Sequence, residues 1–86
     1  MTYSDIHYYN IALQCYDEID FSELEHAKDT LVISNSSVHM ANEHEFLPAP
    51  LRVINLDLKK DNAIMGYYRL YLNEQDEFID EVLCFF

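Results

Sequence analysis

RVINLDLKKDNAIMGYYRLYL, residues 52–72, carries the pattern that decides the fold. Ile54, Leu56 and Leu58 alternate with Asn55 and Asp57. Successive side chains of a strand point to opposite faces, so this run has one apolar face and one polar face. Lys59-Lys60-Asp61-Asn62 has the chemistry of a turn. From Ile64 to Leu72 the alternation resumes, with Tyr68, Leu70 and Leu72 on one face and Tyr67, Arg69 and Tyr71 on the other. Two alternating runs about a polar turn predict antiparallel neighbours in a sheet.

Working outward, Asn73 to Asp76 turns the chain again, and Phe78 to Phe86 reads as a last strand. Its end, Val82-Leu83-Cys84-Phe85-Phe86, is apolar on both faces. In the centre of a sheet that run is core, whereas at an edge it invites a partner strand. On the N-terminal side, Pro48 and Pro50 hold Leu47 and Ala49 extended, so Asn42 to Pro50 is a loop. Leu31-Val32-Ile33 marks a strand from Thr30 to Ser34. Asn35-Ser36-Ser37 reads as a turn, after which Val38 to Met40 pairs back as a short strand.

The first residues read as helix. Ser4 is placed as its cap, and Ile6, Tyr9, Leu13 and Tyr16 fall on one face, widened by Ala12, Cys15 and Ile19. Ser22-Glu23-Leu24-Glu25 has the form of a capping box and predicts a second, short helix to Lys28. The expected architecture is α+β: N-terminal helices packed on an antiparallel β-meander of about four strands, all in one domain, residues 1–86.

Charge narrows the function. Sixteen Asp and Glu face five Lys and Arg, a formal net charge of −11. Direct binding to nucleic acid or an anionic membrane is disfavoured, because phosphate contacts need Lys and Arg. Met1 to Asp5 lacks the basic and apolar regions of a signal peptide, and no apolar run is long enough for a membrane span. The expected compartment is therefore the cytoplasm, with Cys15 and Cys84 as reduced, buried thiols.

Catalytic and metal signatures are lacking. His39 and His44 with Glu43 and Glu45 crowd the central loop, but their spacing matches no zinc motif. Cys15 has His7 and His26 nearby, yet Asp17, Glu18 and Asp20 oppose a thiolate. On a strand, Asp76 with Asp80, or Glu77 with Glu81, would stand roughly 13 Å apart, too wide for a carboxylate couple. No Gly-rich phosphate loop is present, since Gly66 is the lone glycine. The expectation is a non-enzymatic protein without metal or cofactor.

Two acidic clusters remain. One is Asp17, Glu18 and Asp20, running on towards Glu25; the other is Glu74, Asp76 and Glu77 with Asp80 and Glu81. Asp20 precedes the expected second helix, where negative charge is favoured. Asp17 and Glu18 instead close the first helix at its negative end, and charge placed against local electrostatics suggests an external use. Tyr67 and Tyr71, flanking Arg69, are residue types favoured at interface hot spots and are expected as anchors.

Size, acidity and the segments Asp17–Glu25 and Glu74–Glu81 resemble small acidic immunity proteins that neutralise a nuclease toxin, as in contact-dependent growth inhibition. The same character resembles DNA-mimic inhibitors of the anti-restriction and anti-CRISPR kind. The resemblance implies a basic partner protein, a nuclease toxin or another nucleic-acid-acting protein, and no direct nucleic-acid contact. A DNA mimic would need acids along a longer, more regular track. Outside the inhibitors, the alternative is an interaction subunit or homodimer using a sheet edge.

Overall fold

The computed structural model describes residues 3–22, 24 and 28–86. One helix, α1 (Tyr3–Asp17), and a short 3₁₀ turn (Lys28–Thr30) precede four strands. These are β1 (Val32–Ala41), β2 (Leu51–Lys60), β3 (Ala63–Leu72) and β4 (Phe78–Phe85), in the spatial order β1-β2-β3-β4 and all antiparallel. The α+β meander expected from the alternating runs is present. Glu23 and residues 25–27, including the Glu25 of the expected capping box and most of the expected second helix, lie outside the described residues.

The hairpin between β2 and β3 closes more tightly than the four-residue turn suggested. Lys60 pairs with Ala63, leaving a two-residue loop of Asp61 and Asn62 with φ of 53° and 67°. Left-handed conformation at both positions matches the right-handed twist of the flanking strands, and Asp and Asn tolerate it.

Asn35-Ser36-Ser37 is not a turn. β1 runs through it as one strand, with Asn35 opposite Leu56 and Ser37 opposite Asn55, so Ser36 is an extra residue. This is a β-bulge, and β1 is an edge strand. Small polar residues suit a bulge as well as a turn, and pairing along the full length of β2 favours the bulge. The bulge also blunts an open edge by increasing its twist.

Helix α1 lies over β2, with β1 and β3 to either side and β4 less covered. Its buried face is Tyr8, Tyr9, Ala12 and Tyr16, packed on Ile54, Leu56, Leu58, Tyr68, Leu70 and Leu72. Ile6, expected on this face, is exposed, and Tyr8 takes the inward position. Ser4 lies inside the first turn and not at its cap, since the helix already includes Tyr3. Six of the sheet side chains facing the helix, Ile54, Leu56, Leu58, Tyr68, Leu70 and Leu72, are at most 1% exposed. Burial contributes about 1.5–3 kcal/mol for each large apolar side chain.

The opposite face of the sheet carries a second, smaller core. Leu51, Val53 and Tyr71 are buried there, with Ala41, Leu47, Ile79 and Val82 packed around them. Leu47 belongs to the β1–β2 loop, so that loop folds back over part of this face.

At Gly66 the backbone of β4 comes close to β3. A Cβ at this position would overlap the carbonyl oxygen of Cys84 and stand 3.0 Å from Cα of Phe85. Its φ is not positive, so close approach and not backbone freedom requires glycine.

Candidate functional site

The end of α1 is tightened by hydrogen bonds from Glu18 N to Cys15 O and from Ile19 N to Tyr16 O. The free carbonyls there receive Lys28, whose Nζ donates to Asp17 O at 2.7 Å and to Ile19 O at 2.9 Å. The same ammonium stands over the rings of Tyr16 and Phe21. A cation at a helix C-terminus opposes the dipole charge. The negative helix end beside Asp17 and Glu18 therefore receives a cation eleven residues along the chain from Asp17, which the local reading of the helix end missed.

This closure aims the helix end at β4. Cys15 of α1, Glu18 and Ile19 just beyond its end, and Phe78 and Glu81 from β4 line an open groove of about 450 Å³. The first acidic cluster thus meets the second through Glu18 and Glu81. Phe78, 55% exposed, gives the groove an apolar wall. Glu81 is anchored by the hydroxyl of Tyr68, which donates to its Oε2 at 2.6 Å.

Negative potential in the groove acts on its neighbours. Burial, then the charges of Glu81 and Glu18, push the Cys15 thiol above its ordinary pKa. Burial, then the hydrogen bond to Glu81, push the Tyr68 hydroxyl up strongly. Both effects keep these groups neutral, so Cys15 has the opposite of a nucleophile's environment. Cys15 and Cys84 are free thiols, both only partly buried, which corrects the expectation of buried thiols.

The other acids are dispersed. Asp76, at a left-handed φ of 61°, accepts the Tyr8 hydroxyl at 2.9 Å and lies 3.9 Å from Nε of Arg52. Arg52 in turn stacks on the Tyr8 ring, 4.2 Å from its centroid. Asp76 therefore ties the β3–β4 turn to the helix as well as carrying charge. Glu77 braces the same turn through its amide and carboxylate, both bonded to Asn73, while Glu74 is exposed beside it. Asp20 accepts the amide of Ser22, which lowers its carboxyl pKa. Asp17 is exposed at the helix end. Asp80 faces away from the groove, paired opposite Tyr71, and accepts the amide of Glu81.

Tyr67 and Tyr71 are not brought to the acidic groove. They belong to the opposite face of the sheet. Tyr71 is only 8% exposed, covered by the loop whose His44 ring meets it edge-on at 5.3 Å. It is a core residue and not an exposed anchor. Tyr67 is half-buried, stacked under Arg69 and beside Phe86. Sequence reasoning also missed the groove residues Cys15, Ile19 and Phe78. The spacing of Cys15, Glu18 and Ile19, one helical turn, was the available signal.

Among the described residues no three His, Cys, Asp or Glu side chains form a metal-holding group. No described helix is long and apolar enough to cross a membrane. The class that these features define is an α+β protein, one helix on a four-stranded antiparallel meander, with an acidic groove between helix and edge strand. Comparison with protein-family models, curated proteins and solved structures gave no match.

Proposed function

We propose that the protein is a non-enzymatic, cytoplasmic inhibitor that binds and neutralises a basic partner protein, in the manner of an immunity protein against a nuclease toxin. The observation that carries this reading is the meeting of Glu18 and Glu81, from opposite ends of the chain, in one groove with an apolar wall. Such a groove accepts a Lys or Arg side chain whole, its alkyl stem against Ile19 and Phe78 and its charge between the carboxylates. The remaining acids raise the encounter rate, up to about 10⁸–10⁹ M⁻¹s⁻¹ at low salt, more than the final affinity. Two features favour this over the other readings. Among the described residues the acids of the two clusters divide between the helix end, the groove, a turn and the opposite face, which is not the regular track a DNA mimic needs. The exposed edge β4 carries Asp80 and Glu81, whose like charges oppose edge-to-edge pairing of two copies.

The test begins with partner capture from the native host by chemical crosslinking. Stopped-flow association with the captured partner then decides. The rate is expected to fall with added salt and to drop in Glu18→Gln/Glu81→Gln. Partner binding is also expected to shield Cys15 from a thiol reagent while leaving Cys84 unaffected. A salt-insensitive rate unchanged by the double substitution would remove the reading.

A further inference from the structure

Arg69 is a half-buried cation in a chain of net charge −11, yet no carboxylate among the described residues is within ion-pair distance of it. By register its same-face neighbours are Asn55 and Val82, with Asp57 and Asp80 one pairing step away to either side. Its Nε donates to Asn55 Oδ1 at 2.7 Å, and Asn55 Nδ2 donates to Ser37 Oγ at 2.9 Å. The guanidinium also stacks on the Tyr67 ring, 4.9 Å from its centroid. Three strands thus hold the guanidinium in one orientation, with its two terminal nitrogens not committed to any described residue.

Beside it is a pocket of about 240 Å³ lined by His39, Ala41, His44, Val53, Arg69 and Tyr71. The polar residues of this lining are one cation, two imidazoles and a phenol, without a carboxylate. His44 is fixed as well. The amides of Phe46 and Leu47 both donate to its Nδ1, at 3.0 and 2.9 Å. A ring that accepts at Nδ1 carries its hydrogen on Nε2, so the remaining polar atom of His44 is a donor. Preorganised donors of this kind, around an arginine fork, recognise oxyanions. Val53, Ala41 and the Tyr71 ring supply an apolar wall.

We propose that this pocket binds a small organic oxyanion, a carboxylate or phosphate monoester on a compact apolar body. The site lies on the opposite face of the sheet from the acidic groove, and its occupant has the opposite charge from the proposed partner. It therefore goes beyond the inhibitor reading and stands independently of it.

The test is an amide and side-chain ¹⁵N NMR titration in a phosphate-free buffer. The probes are benzoate, phenyl phosphate, inorganic phosphate and, as the neutral counterpart, benzyl alcohol. Benzoate or phenyl phosphate is expected to give saturable shifts at His39, His44, Val53, Arg69 and Tyr71, and the stronger of the two identifies the head group. Inorganic phosphate binding as well as phenyl phosphate would show that the head group alone supplies the recognition. Arg69→Gln is expected to weaken the better probe by about tenfold or more, with Arg69→Lys in between. Lys60→Gln in the distant hairpin and Glu18→Gln/Glu81→Gln in the groove are expected to leave the shifts unchanged. Equal shifts from benzyl alcohol, the absence of saturable shifts from every anion, or full binding by Arg69→Gln would overturn the proposal. Should Arg69→Gln lose its folded spectrum, the contrast between anionic and neutral probes in the unmodified protein decides alone.

Discussion

Tyr68 donates its hydroxyl to Oε2 of Glu81 at 2.6 Å, joining the largest fully buried side chain of the core to a carboxylate that lines the acidic groove. One residue of the candidate site therefore also satisfies a buried polar group. A substitution at Glu81 changes folding and binding together unless it keeps an acceptor.

Glu81→Ala is expected to cost about 1–3 kcal/mol, because the Tyr68 hydroxyl loses its acceptor while remaining buried. Tyr68→Phe is expected to cost about 1–2 kcal/mol, since Glu81 is partly exposed and water replaces the lost donor. The double variant is expected to be less destabilised than the sum of the two, and Glu81→Gln less than Glu81→Ala. Urea unfolding of the four variants measures the coupling. Additive losses would show that the two side chains do not interact in solution.

Alkaline pH is expected to unfold the protein earlier than its acidity suggests. Burial holds Tyr8, Tyr9, Tyr16 and Tyr68 above the ordinary tyrosine value of 10.0. The unfolded chain releases these protons near pH 10.0 while the folded chain retains them, so the folded state binds more protons there. Stability from these groups is thus complete below that pH and is lost as pH rises above it. Urea midpoints with tyrosinate absorbance across this range are the measurement. Tyr68→Phe is expected to show a shallower alkaline decline. Ionisation of all tyrosines without loss of folded structure would contradict the burial.

Gly66→Ala is expected to destabilise by about 1–3 kcal/mol, towards the upper end. The added methyl meets the backbone carbonyl of Cys84, which cannot rotate aside as a side chain would. Urea unfolding gives the magnitude, and amide exchange is expected to accelerate first in β4, the strand that must shift. An unchanged midpoint would mean that β4 lies farther from β3.

The central sheet was legible because a strand's period of two is a local property. Ile54, Leu56, Leu58, Tyr68, Leu70 and Leu72 are buried together as their alternation requires. Asn35-Ser36-Ser37 misled because turns and bulges use the same small polar residues, and only the ten-residue partner strand β2 distinguishes them. Ile6 misled because the helix carries apolar residues around more than one face. The docking of α1 on the sheet, not the spacing alone, selected Tyr8.

By itself the sequence determined the charge of the protein, its alternating strands and its helical start, since each depends on residue identity and near neighbours. Tertiary structure decided which charges meet. Glu18 reaches Glu81 only because α1 ends beside β4, and Lys28 reaches the helix end only because the chain folds back. It also separated Tyr67 and Tyr71 from the groove by placing them on the other face, where Arg69 bonds Asn55 of β2 and the His44 ring meets Tyr71 of β3. Contacts between residues far apart in sequence depend on how the elements pack, and no local pattern encodes which side chains the packing brings together.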